Sequence, residues 1–288
     1  MTVILDGKKL SEEIRKNIKK EVEILQKNYS RVPGLAVVLV GNNEASKIYV
    51  NMKVKACQEA GFYSRLLIFD EEISEEELIF HIEELNRDEN IDGILVQLPL
   101  PEKINELKIN STINIYKDVD GFNPVNLGRL FLGEDCFIPC TPKGIIRLLK
   151  HYNVEISGKN AVVIGRSNIV GKPAGILLLS ENATVTFCHS KTRELKDYTR
   201  NADIIVSAVG KPGLITADMV KEGVVIIDAA TVKVDGKLVG DVLFDEVSKK
   251  ASFITPVPGG VGPMTIAMLL ENTLYSFKKK LETMVGGR

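Results

Sequence analysis

Four cysteines and three histidines are all that 288 residues offer toward thiol or soft-metal chemistry. Cys57, Cys136, Cys140 and Cys188 are scattered, with a lone CxxxC and no paired ligand spacing, so they read as reduced thiols. His81, His151 and His189 stand far apart, and neither a zinc motif nor a nucleophile elbow occurs. Metal and Ser/His catalysis are disfavoured, and no metal ligand is assigned. Charge bias is absent too: 37 basic residues against 38 acidic ones leave a net charge of -1. Neither nucleic acid nor a membrane is the expected partner. No apolar run reaches the roughly 18 residues of a membrane helix. The opening MTVILDGKKLSEEIRKN lacks a signal peptide's order of basic, apolar and small residues, so the expected location is cytoplasmic.

What remains is an average globular composition, 44% hydrophobic and 26% charged, in a chain long enough for one large or two ordinary domains. Short β-branched runs alternate with helical patterns: TVIL, then 8 to 28; LAVVLV, then 43 to 60; RLLIF, then 74 to 88; then GILVQL. The polar, turn-rich stretch from 99 to 126 reads as a long loop. A second series follows, with Thr141 as N-cap and Pro142 as first residue of a helix to His151. NAVVIG, ATVTFC, ADIIVSAVG and GVVIID then look like buried parallel strands. The final PVPGGVGPMTIAMLLENTLYSFKKKLE is a glycine-proline loop feeding a long helix, with Pro263 or Met264 in its first turn and lysines in its last.

In VVIGRSNIVGKPAG a strand ends at Gly165, five residues intervene, and Gly171 stands where a helix should begin. This is not GxGxxG, but glycines that let backbone approach a pyrophosphate, together with free N–H groups at a helix start, obey the same logic. An NAD site usually carries an acid at the end of the next strand; here that strand ends in Cys188-His189-Ser190-Lys191. A hydroxyl and cations, with Arg166 beside Gly165, suit a 2′-phosphate, so NADP is favoured and NAD is the alternative. Solvated surface charge is the plain alternative for Arg166 and Lys191.

Tyr49 and Lys53 in SKIYVNMKVK lie at i and i+4, on one face of a helix that Asn42 or Asn43 can cap. GILVQLPLP delivers Gln97 to a strand end, where ligands gather in open α/β sheets. Three polar groups are thus expected to converge, with the loop from 256 to 263 closing the site. Alone, the Tyr-x-x-x-Lys spacing also fits two amphipathic side chains covering apolar surface. Short-chain dehydrogenases use such a pair after the dinucleotide fingerprint; here it comes before.

Seven segments in order, SKIYVNMKVKACQEAGF, DGILVQLPLP, KDVDGFNPVNLGRL, PCTPKGI, VVIGRSNIVGKP, CHSKT and ASFITPVPGGVGPMTIAMLLENTL, resemble bifunctional methylenetetrahydrofolate dehydrogenase/cyclohydrolases. The resemblance spans nearly the whole chain. It implies oxidation of 5,10-methylenetetrahydrofolate by NADP, then hydrolysis of the methenyl product to 10-formyltetrahydrofolate. Lys53 matches the family's catalytic lysine, Gln97 the residue that orients it, and Asp120 the carboxylate that grips the pterin. Tyr49 would stack on the folate's aromatic part with its hydroxyl near the reacting centre. Pro258, Gly259, Gly262 and Pro263 would line the folate side, and Gly165, Arg166, Ser167, Gly171, Ser190 and Thr231 the cofactor side. The implied fold is two α/β domains around a cleft. Residues 1–139, completed by a helix over 271–288, would hold folate; residues 140–270 would form a Rossmann-like domain with a parallel sheet. A homodimer is the family's habit.

Departures from the pattern bear on the first step. Where the family reads Asp-x-Gly-Ile/Thr-Asn, residues 228 to 232 are DAATV, with Ala230 in the glycine's place and Val232 in the asparagine's. An added methyl can shift backbone and a lost asparagine removes hydrogen-bonding groups. Asn123 replaces a frequent histidine, and a common proline before Lys117 is missing; both are read as peripheral. Two alternatives stay open: a cyclohydrolase with a weakened or NAD-dependent dehydrogenase, and a non-catalytic folate or nucleotide sensor. The sensor would be expected to have lost Lys53 or Gln97.

Overall fold

The computed structural model describes residues 1–286. In chain order it places β1 (Val3–Ile4), α1 (Gly7–Tyr29), β2 (Gly34–Val40), α2 (Glu44–Glu59), β3 (Tyr63–Phe69), α3 (Glu75–Arg87), β4 (Gly93–Val96), α4 (Glu106–Thr112), α5 (Pro124–Leu132) and α6 (Cys140–His151). There follow β5 (Asn160–Ile164), α7 (Gly171–Ser180), β6 (Thr184–Cys188), α8 (Leu195–Thr199), β7 (Ile204–Ser207), β8 (Val225–Asp228), β9 (Val232–Val234), β10 (Lys237–Val239), α9 (Phe244–Val247), β11 (Phe253–Ile254) and α10 (Val261–Gly286). Two compact units share these elements: Glu13–Ile138 with Leu269–Arg288, and Met1–Glu12 with Pro139–Met268. Among the described residues no helix is long and apolar enough to cross a membrane.

The first unit is built on a parallel sheet of order β3-β2-β4. Every residue of β2, GLAVVLV, is buried, as a central parallel strand covered on both faces requires. On one face Ala36, Val38 and Ile94 pack with Leu78, Ile82 and Leu85 of α3, each large side chain stabilising by about 1.5–3 kcal/mol. Ser74 caps α3 by accepting from Glu77 N, while three glutamates in its first turn and Arg87 in its last complement the helix dipole. The stretch from 99 to 126 is not one loop. Asn105 caps α4, whose Ile109 is fully buried, and Asn123 with Pro124 starts α5, which Gly133 ends at φ 74°. Polar composition there concealed short helices anchored by single apolar residues.

The second unit carries a six-stranded sheet, order β1-β11-β8-β7-β5-β6, parallel throughout. Its core joins Val162, Ile164, Ile205 and Ile226 to Val220, Val247 and Ala251. The TVIL strand, read above with the N-terminal half, instead pairs through Val3 and Ile4 with Phe253 and Ile254. Helix α6 begins one residue before Thr141: Lys143 N donates to Pro139 O, and the Thr141 hydroxyl lies 2.9 Å from that of Thr265 instead of capping. An unforeseen hairpin, β9 with β10, turns at Asp235-Gly236, both with positive φ. Helix α10 continues past Lys278 to Lys280, so the lysines do not form its last turn; residues 287–288 of the expected helix lie outside the described residues.

Candidate active site

In the three-stranded unit, β2 is flanked by β3 on one side and β4 on the other, so the chain switches direction at the carboxyl ends of β2 and β4. Such a switch point leaves a crevice for ligands. Gly41, at φ 79°, turns the chain out of β2, and Asn43 caps α2 by accepting from Ser46 N at 3.0 Å. Two turns into α2, Lys53 is buried, and its Nζ donates to Gln97 Oε1 at 2.9 Å. Gln97 is fixed twice more, by its N–H to Val38 O at 2.8 Å and its Nε2 to Leu98 O at 2.6 Å. The buried Lys53 side chain is thus held in one position by a defined acceptor. Tyr49, one turn before Lys53, is 39% exposed, which leaves its ring available for stacking.

Beside β4, residues 117 and 118 form a short parallel bridge: Ile94 N donates to Lys117 O at 2.7 Å. Lys117 Nζ is tied to Leu85 O and Asp88 O at the end of α3. Asp118 is buried, and its carboxylate accepts from Phe122 N, Asn123 N and Asn126 Nδ2. Burial pushes its pKa up to about 7. Asp120, two residues on, is half-buried. Asn123 is not peripheral: it is buried, caps α5, and donates to Asn110 O and Ile113 O. Burial also pushes the Cys57 thiol up to about 12 and Cys136 to about 11, and all four cysteines are free.

In the six-stranded unit the switch point lies between β5 and β7, because β5 is followed by β6 on one side and β7 on the other. Gly165 has φ 123°, and a Cβ there would lie 2.7 Å from Ala208 O. A Cβ on Gly171 would lie 2.4 Å from Gly165 O, so strand end and helix start cross where only glycines fit. The first turn of α7 is not the open donor set expected: Ser167 Oγ accepts from Val170 N and Gly171 N, and its carbonyl from Lys172 N. The unpaired donors lie earlier. Among the described residues, the N–H groups of Arg166, Ser167, Asn168 and Ile169 have no partner, and the exposed Arg166 guanidinium has none either. Such a run of backbone donors fits an anion. Ser190 and Lys191 are exposed at the end of β6, in a turn closed by Thr192 Oγ1 accepting from His189 N.

The loop after β11 is likewise shaped by glycine. Gly259 has φ 108°, and a Cβ on Gly260 would meet Pro256 O at 2.6 Å. Gly262 has open space around it, and Pro258 is exposed after a cis bond. Thr231 is exposed between buried Ala230 and the hairpin. Among the described residues no group of three or more His, Cys, Asp or Glu is placed to hold a metal ion.

Family models match both parts: the tetrahydrofolate dehydrogenase/cyclohydrolase catalytic domain over residues 5–120, and the NAD(P)-binding domain over 139–281. The chain belongs to the tetrahydrofolate dehydrogenase/cyclohydrolase family. It is 56% identical to the Bifunctional protein FolD of Sulfurihydrogenibium sp. over 97% of this chain and 99% of that one. The solved structure of the bifunctional enzyme from Campylobacter jejuni matches with TM-score 0.95 at 51% identity, covering 97% of this chain and all of that one. A Trypanosoma brucei methylenetetrahydrofolate dehydrogenase-cyclohydrolase, complexed with NADP cofactor and inhibitor, matches at 0.94 and 41%, over 97% and 98%.

Within this family frame, the geometry joins Lys53 to Gln97 and Gly165 to Gly171, as the sequence spacing suggested. Sequence reasoning passed over Asp118, the loop 208 to 211 and Asp241. The signals for the first two were a second aspartate in KDVDGF and the glycines of SAVGKPG; Asp241 carried none.

Proposed function

We propose that the chain oxidises 5,10-methylenetetrahydrofolate to the 5,10-methenyl form with NADP, then hydrolyses that to 10-formyltetrahydrofolate, as its family membership supports. The observation that carries the reading is the buried Lys53 Nζ held 2.9 Å from Gln97 Oε1 at a sheet switch point. Folate belongs to the three-stranded unit and NADP to the six-stranded one. Glycine crossing, unpaired N–H run and Arg166 fit a dinucleotide carrying a 2′-phosphate, held by Gly165, Arg166, Ser167, Gly171, Ser190 and Thr231. NADP, when bound, supplies the hydride acceptor.

The oxidation leaves a cation spread over two folate nitrogens, so the protein's task there is to orient the substrate. Tyr49 stacks on the folate's aromatic part and Asp120 accepts from the pterin's amino and ring N–H edge. Hydrolysis demands proton movement. Water oxygen bonds to the methenyl carbon and loses one proton; the carbon–N5 bond then breaks as N5 gains a proton and the remaining hydroxyl proton leaves to form the formyl C=O, with one proton released overall. Lys53 moves these protons, and Gln97, by accepting one N–H, fixes the directions of the nitrogen's remaining positions.

A homodimer belongs to the same reading, with a second copy on the unpaired β3 edge, where Tyr63, Leu66 and Ile68 are exposed beside Ile48 and Met52 of α2. A reducing, cytoplasmic setting suits four free thiols. The test mixes protein with methylenetetrahydrofolate and either NADP or NAD, following reduced cofactor and methenyl product separately, alongside hydrolysis of added methenyltetrahydrofolate. Reduced NADP with 10-formyl product is expected. Hydrolysis alone would leave a cyclohydrolase, and inactivity in both would leave a sensor. Sedimentation of the same sample should give twice the chain mass.

A further inference from the structure

Two buried carboxylates in the six-stranded unit have no part in the chemistry above. Asp241, fully buried just beyond β10, accepts from Ser207 Oγ at 2.7 Å, Val209 N at 2.9 Å and Lys211 N at 2.6 Å. Asp228, at the end of β8, accepts from Ala230 N at 3.2 Å and Val242 N at 2.9 Å. A Cβ on Gly240 would lie 2.0 Å from Asp228 Oδ2, so the segment 240 to 242 presses against one carboxylate while supplying the other. Ser207 and Asp228 are register partners at the ends of adjacent strands. One short segment therefore fastens the loops that leave β7 and β8.

The loop from 208 to 211 is the wall of the β5–β7 crevice. Ala208 O stands where only a glycine at 165 leaves room, and Gly210, at φ 79°, faces Val232 of β9. The bonds that the Asp241 carboxylate accepts from Ser207 Oγ, Val209 N and Lys211 N thus tie it to the end of β7 and to this loop. A carboxylate accepts with both oxygens, and an amide in its place would set an N–H against an N–H.

We propose that Asp241 is a positioning residue for hydride transfer: by gathering Ser207 Oγ and the N–H groups of Val209 and Lys211 it sets the crevice wall against which NADP lies. It touches neither folate nor cofactor. The proposal rests on the functional reading above and goes beyond it in naming the residue that shapes the cofactor crevice.

Asp241→Asn and Ser207→Ala are compared with wild type for NADPH affinity by fluorescence titration, for dehydrogenase kcat and KM, and for methenyltetrahydrofolate hydrolysis. Asp241→Asn should weaken NADPH binding at least fivefold and lower dehydrogenase kcat/KM at least tenfold, with hydrolysis within twofold. Ser207→Ala, which removes one donor, should move the same two quantities about threefold; it decides the matter alone if Asp241→Asn does not fold. NADPH affinity and dehydrogenase within twofold of wild type, or hydrolysis falling in parallel, overturns the proposal. A wild-type protein that binds NADPH but oxidises nothing would instead overturn the functional reading.

Discussion

At the β2–β4 switch point the crevice is furnished with side chains: a buried lysine and a glutamine tied to each other. At the β5–β7 switch point the same topology is furnished with backbone, two glycines at van der Waals limits and a run of unpaired N–H groups. The difference follows from what each step demands. Hydrolysis must move protons, which needs a titratable nitrogen in a fixed place. Hydride transfer to a cofactor needs close approach and orientation, which glycine and backbone donors provide. Under the proposed function, one architecture thus serves proton chemistry in one unit and cofactor placement in the other.

The contrast breaks most sharply at Lys53. Replacing Lys53 by Gln should lower methenyltetrahydrofolate hydrolysis by about 10²–10⁴-fold, the usual worth of a general acid–base group, while folate binding stays near wild type. Equilibrium binding and stopped assays of the two steps check this; normal hydrolysis by the variant would remove the lysine from the mechanism. The converse lesion is Gly171→Ala. Its new methyl would lie 2.4 Å from Gly165 O, a backbone atom that must move. NADPH binding should weaken by about tenfold or more, equivalent to about 1.4 kcal/mol, with hydrolysis retained. Loss of both activities together would deny that the two crevices are separable.

An effect on stability, not on activity, is expected from the scaffold beneath Asp120. The Asp118 pKa is raised from 3.8 to about 7 in the folded chain, so the native state holds that proton more tightly than the unfolded chain does. Its contribution to stability is therefore full below about pH 4 and lost as pH rises toward 7, at most about 4 kcal/mol at 1.36 kcal/mol per pKa unit. Urea unfolding of wild type and Asp118→Asn at pH 4.5, 6 and 7.5 should show the wild type losing ground to the variant as pH rises. Parallel curves would mean that Asp118 does not titrate in this window.

How much of this was legible depended on whether the signal was local. Central strands and crossover helices announced themselves through β-branched runs and a cap such as Asn43. The Lys53–Gln97 pair was legible because helix spacing and a strand end pointed both residues to one crevice and the family resemblance paired them. By contrast, β1 has two residues, both exposed, and no periodicity to reveal which sheet it joins. Asp118 and Asp120 look alike in KDVDGF; only the donors of Phe122, Asn123 and Asn126 decide which is buried. Asp241 gathers donors some thirty residues away, a relation no motif records.

The smallest effect is expected at DAATV, where the departure from the family pattern looked most consequential. Ala230 lies outside the left-handed φ region, and its N–H is held by Asp228 Oδ1 at 3.2 Å. At such a position a methyl group imposes no backbone strain, and glycine's freedom is not used. Ala230→Gly should therefore leave dehydrogenase kcat/KM within threefold while lowering stability by about 0.4–1 kcal/mol through the freer unfolded chain. Steady-state kinetics with NADP and a urea midpoint measure both. A tenfold rise in hydride transfer would show that the methyl group itself restrains the crevice, and the contrast between side-chain and backbone chemistry would then extend to this single carbon.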